Sequence, residues 1–117
     1  TSISQIAALE AIKGDEKSLT SMVKEFEKRR DYIVERINNI NGLSSLKPDG
    51  AFYVFCKIER DDLNSMDLAE RLLNEAKVAV VPGKAFGSDR HIRLSFATSM
   101  KNITEGMDRM ERWFKKN

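Results

Sequence analysis

One cysteine, one histidine, one tryptophan and two prolines are all this chain carries of those residue types. Each scarcity removes a class of explanation. A single thiol, Cys56, excludes an intramolecular disulfide and fits a reducing, cytoplasmic setting. The single histidine, His91, has no second ligand at metal spacing and no nucleophile beside it, so neither a metal site nor a histidine-based catalytic pair is expected. No apolar run approaches the roughly 20 residues that a membrane span needs, and no secretion signal is visible. The net charge of +2 is too small to argue for nucleic acid or an anionic membrane as partner. Zinc motifs, phosphate-cradling glycine loops and RNA-binding aromatic signatures are missing, as are repeats and low-complexity segments. The chain opens at Thr1 without a methionine, which fits a processed chain and an excised fragment equally.

What is present reads as one globular domain over residues 1–117, with 41% hydrophobic and 32% charged residues. A first helix is expected over 1–13, capped by Ser2 or Ser4 and ended by Gly14-Asp15. A long helix is expected over 16–40. Its stripe is Leu19, Met22, Val23, Phe26, Ile33, Ile37 and Ile40, and Asn41-Gly42 stops it. Leu43–Leu46 and Ala51–Ile58 read as an antiparallel hairpin around Lys47-Pro48-Asp49-Gly50. Phe52, Val54, Cys56 and Ile58 share one face of the second strand. Tyr53, Phe55 and Lys57 share the other, and this largely apolar strand is expected to be central. Asn64 or Ser65 caps a helix to about Ala76, with Leu68, Ala69, Leu72, Leu73 and Ala76 as its stripe. Strands follow at Val78–Val81 and Ile92–Phe96. Thr98-Ser99 then caps a last helix, 100–116, whose core face is Ile103, Met107, Met110, Trp113 and Phe114. Gly106 inside that helix suggests close packing on the sheet. The class is α+β: a small, mainly antiparallel or mixed sheet of about four strands with four helices packed against it.

The chemistry-bearing stretch is Val78–Thr98. Pro82, Gly83 and Gly87 punctuate a loop between two β-rich runs. In the second run, Arg93 sits between Ile92 and Leu94. Alternation along a strand therefore turns it to the opposite face, with His91 and Ser95. A guanidinium fixed on a strand suits a carboxylate or phosphate, since its planar fork donates two parallel hydrogen bonds. It also suits plain solvation on an exposed face, and the residues alone leave both readings open. Lys84 reads as a solvated surface lysine, Cys56 as a small buried apolar group. Arg90, in the loop, is expected to matter much less than Arg93.

Val80-Val81-Pro82-Gly83, Phe86-Gly87 and Ile92-Arg93-Leu94-Ser95-Phe96-Ala97 resemble the C-terminal signature of the class I/II pyridoxal-phosphate (PLP) aminotransferases, the aspartate aminotransferase-like family of fold type I. Pro48-Asp49-Gly50-Ala51-Phe52-Tyr53 resembles that family's Pro-x-Gly-aromatic hairpin, and Thr1–Gln5 with Ala7–Ala11 its segment between the large and small domains. The resemblance implies a C-terminal small domain, with 1–14 as a connecting helix. The complete transferase would move an amino group between an amino acid and a 2-oxo acid. Arg93 would bind the substrate carboxylate, and Gly83 and Phe86 would shape the pocket rim. PLP would be held mainly by the large domain. The Schiff-base lysine motif is not in this chain, so no catalytic, cofactor-binding or metal-binding residue is assigned here, and the chain alone is expected to be inactive. A homodimer is implied for the complete enzyme. The alternative is a non-catalytic small α+β binding or interaction module.

Overall fold

A computed structural model describes all of residues 1–117. Helix α4, Met100–Lys116, follows its apolar spacing: Ile103, Met107, Met110 and Trp113 are buried in one stripe, and the Ser99 side chain accepts the Asn102 N–H at its start. Helix α2, Lys17–Asn38, lies against it and buries Ile33 and Ile37. Arg36 joins the two, donating to Asp108 at 2.6 Å, Glu111 at 3.2 Å and the Tyr32 hydroxyl at 2.6 Å. Helix α3, Ser65–Arg71, begins where the Asn64 side chain accepts from Met66 and Asp67 N–H. It runs on into a π-helical turn, Leu72–Ala76, closed by Lys77 at φ +57°. That turn keeps Leu72 in the core and leaves Leu73 exposed, so Leu73 falls outside the stripe expected of it.

The strands β1 (Leu43–Ser44), β2 (Tyr53–Ile58), β3 (Val81–Pro82) and β4 (His91–Ser95) form one sheet. Its order is β1-β2-β4-β3, and every pairing is antiparallel. The β1–β2 register, Leu43↔Ile58 and Ser44↔Lys57, centres the connection on Gly50 and Ala51, as the Pro-Asp-Gly turn suggests. Ala51 adopts φ +61° there. Only two residues of β1 pair, however, and Leu46 is exposed rather than in a strand. β3 is likewise shorter than expected. Pro82 lies on this edge strand, where a missing N–H removes no bond from the sheet interior.

Val54, Cys56 and Ile58 of β2 and Ile92 and Leu94 of β4 are buried, while the residues between them are not. The buried side meets α2, α3 and α4 in a single core of 17 residues. The result is a two-layer α+β fold of four helices and four antiparallel strands. Cys56 is fully enclosed, and burial pushes its thiol pKa up to about 12, which suits an inert core group.

Several local expectations need correction. Helix α1, Ser2–Lys13, buries none of its residues, and its N-cap is Thr1, not Ser2 or Ser4. Leu19, Met22 and Val23 are about half exposed, so only the C-terminal part of the α2 stripe is packed. β2 is interior to the sheet, yet its second face is open, with Phe55 42% exposed. Gly106 has nothing within 4 Å of where a Cβ would sit, so close packing does not explain it.

Candidate functional site

The open face of the sheet carries the site. Pleating brings Tyr53, Phe55 and Lys57 of β2 to the same side as His91, Arg93 and Ser95 of β4. The register sets Arg93 between Phe55 on one neighbouring strand and Val81 on the other. Its guanidinium carbon lies 4.7 Å from the ring centroid of Tyr53 and 4.7 Å from that of Phe86. Phe55 meets Phe86 edge-on at 6.2 Å and stacks flat on the His91 ring at 4.6 Å. The His91 Nδ1 is 2.7 Å from Ser88 Oγ.

Arg93 differs from every other arginine in the chain. Seven others face a carboxylate, and Arg112 donates to the Asp108 carbonyl. Arg93 donates to no acceptor of the chain and is only partly buried. Its N–H fork is therefore free for an external anion.

The loop before β4 delivers Phe86 to this face. It begins with a 3₁₀ turn, Gly83–Phe86, closed by Gly87 at φ +84°. Gly83 is buried at its base, where a Cβ would collide with the carbonyl oxygens of His91 and Ser88. Only glycine lets the backbone close in this way. Ser65, at the start of α3, ties the loop down. Its hydroxyl donates to Asp89 Oδ1 at 2.6 Å and accepts the Lys84 N–H at 3.2 Å. Its own N–H donates to both the Asp89 side chain and the Asp89 carbonyl. The bond from the Ser65 hydroxyl holds the Asp89 carboxyl below the usual carboxylate range. Arg90 completes the anchor, donating to the carbonyls of Ile58 and Leu63 and to Asp61. It is thus a structural tie of the loop, with its N–H groups already committed, unlike those of Arg93.

Of the residues singled out from the sequence, Arg93 and Phe86 are in contact, and Gly83 supports the turn that carries Phe86. Tyr53, Phe55 and His91 complete the cluster and were not singled out for it. The signal for the first two was their shared strand face; nothing in the sequence tied either to Arg93. Every lysine, Lys84 included, is exposed. No lysine lies in an enclosed position where it could hold an aldehyde cofactor, so the residues present do not fit the cofactor-holding role of PLP. Among all residues, no group of three or more potential metal ligands occurs, and no helix is long and apolar enough to cross a membrane.

A family model described as "Aminotransferase class I and II" matches residues 1–110. An aspartate aminotransferase of Thermotoga maritima is 44% identical over 109 residues, which is 93% of this chain and 27% of that protein. Aromatic-amino-acid aminotransferase 2 of Thermococcus litoralis is 42% identical over 116 residues, 95% of this chain and 29% of that protein. Among solved structures, an alanine aminotransferase from Pyrococcus furiosus superposes with a TM-score of 0.91 at 37% identity, covering 97% of this chain and 30% of that one. The chain thus spans less than a third of the length of these relatives.

Proposed function

Because the chain belongs to the class I and II aminotransferase family, we propose that residues 1–117 form the C-terminal small domain of a PLP-dependent aminotransferase. That enzyme exchanges an amino group between an amino acid and a 2-oxo acid. PLP, when bound, supplies the electron sink for this exchange. None of the groups that hold it is assigned to these 117 residues.

In this reading Arg93 binds the α-carboxylate that both substrates share. The observation that carries it is the free fork of Arg93 on an open sheet face, in a chain where every other arginine already has an acceptor. Bidentate contact fixes the carboxylate in the plane of the guanidinium and so orients the rest of the substrate. Phe86 forms the rim above it, and Gly83 sets the height of that rim. Closure of the domain over substrate would exclude water from the pair and strengthen it. Helix α1 is the connection to the large domain. Its exposed Ile3, Ile6 and Ile12 and the exposed start of α2 support a covering partner, and the greater length of the relatives supports that partner being a further part of the same polypeptide. The complete enzyme is read as a cytoplasmic homodimer. Both terms are carried by the family resemblance alone.

The test is steady-state kinetics of the full-length enzyme carrying this chain, numbered as here. Arg93→Ala should lower kcat/KM for amino acid and oxo acid by about 2–5 kcal/mol, roughly 30- to several-thousand-fold. Arg93→Lys should recover only part, because a point charge does not reproduce the fork. Arg112→Ala, on the exposed side of α4, is the control. Unchanged kinetics for Arg93→Ala would remove this residue from the site, and a full-length parent without transaminase activity would favour a non-catalytic binding module.

A further inference from the structure

The same cluster raises a second question: what holds the guanidinium still while it waits for a ligand? Elsewhere in the chain carboxylates do this, as Asp108 and Glu111 do for Arg36. A carboxylate beside Arg93 would occupy the N–H groups that the substrate needs. Aromatic rings attract the cation through its face and leave those N–H groups unoccupied. Two rings flank Arg93 at the same 4.7 Å, one from the rigid strand β2 and one from the loop turn.

We propose that Tyr53 and Phe86 are positioning residues for Arg93. They hold its guanidinium by cation–π contact so that the fork is aimed and empty before a carboxylate arrives. The proposal rests on the reading that Arg93 binds the substrate carboxylate. Tyr53 is the fixed side of the clamp, because β2 is an interior strand of the sheet. Phe86 is the adjustable side. The residue is 51% exposed, and its loop is pinned at Gly83, Asp89 and Arg90 but not at Phe86 itself. Phe55 backs Phe86 edge-on, and His91 backs Phe55.

The experiment uses the full-length enzyme and two readouts: steady-state kinetics, and calorimetric binding of propanoate as a carboxylate probe without an amino group. Phe86→Leu should raise KM for both amino acid and oxo acid about tenfold and weaken propanoate by a similar factor, with kcat changed less than about threefold. Tyr53→Leu should act in the same direction. Phe86→Tyr, which keeps a π-face, should return both readouts to within about twofold of the parent. In an Arg93→Ala background, Phe86→Leu should have no further effect on propanoate binding. Equal losses for Phe86→Leu and Phe86→Tyr would overturn the proposal, as would an undiminished Phe86→Leu effect in the Arg93→Ala background. If Phe86→Leu is silent while Arg93→Ala is severe, the clamp is refuted and the carboxylate reading stands. If Arg93→Ala is silent too, both fall.

Discussion

Strand β4 has two sides with opposite duties. Ile92 and Leu94 point inward, at 0% and 6% exposure, and belong to the 17-residue core. Arg93, between them, points outward and contacts two rings and no acceptor. One side is defined by what it excludes, the other by what it leaves unpaired. Under the function proposed for Arg93, the difference separates folding from binding in a five-residue strand. Substitutions on the dry side should be read in stability, and those on the open side in ligand binding.

The sharpest test of that division is Ile92→Ala in chain 1–117. The site is fully enclosed, so lost burial plus an unfilled cavity should cost about 2–5 kcal/mol in urea denaturation. A loss under about 1 kcal/mol would mean that the inner side is not the closed layer described. Next is Gly83→Ala, where the new methyl must displace the carbonyls of His91 and Ser88. A destabilisation of about 1–3 kcal/mol is expected, together with a change in the Phe86 and His91 ring shifts, because the turn must lift away from β4. Smaller still is the acid response of the loop anchor. The Asp89 carboxyl is held low by the Ser65 hydroxyl, so its folded pKa lies below its unfolded value of about 3.9. Its contribution is present above the unfolded value and is lost as pH falls through the folded one. The stability gap between the parent and Asp89→Ala should therefore be constant near neutrality and close below about pH 4. A gap that widens on acidification would contradict the assigned bond. Least of all, Arg93→Ala, at a partly buried position with two ring contacts and no acceptor, should change the stability of the chain by no more than about 1 kcal/mol. A large loss there would erase the distinction between the two sides.

The sequence made some of this legible and left the rest out, for physical reasons. Alternation is a strict period of two, so the outward turn of Arg93 followed directly from Ile92 and Leu94. The α4 stripe was equally readable, because each of its core positions has a partner within the chain. The α2 stripe was read just as clearly, yet Leu19, Met22 and Val23 are exposed. Periodicity reports which residues share a face and is silent on whether anything covers it. Strand ends at Leu46 and Val78 were overextended because β-propensity does not carry the length of a partner. The aromatic cluster was hidden for a different reason. Phe86 comes from a loop, where no period applies, and it shares Arg93 with Tyr53 only through a register fixed by the whole sheet. The buried role of Ser65 was also out of reach, since its partner Asp89 lies 24 residues away.

Helix α1 has one more consequence. Twelve residues with nothing buried fall near or below the length at which an isolated helix persists in water. Its backbone hydrogen bonds thus have little support from the rest of the chain, and their lifetime should follow whether something rests on Ile3, Ile6 and Ile12. Amide exchange along residues 2–13 would then be a gauge of assembly. It should run near the unfolded-chain rate in the free 117-residue chain and slow by orders of magnitude once a partner encloses the helix. The amides of α4, locked by their own core, would stay protected in both.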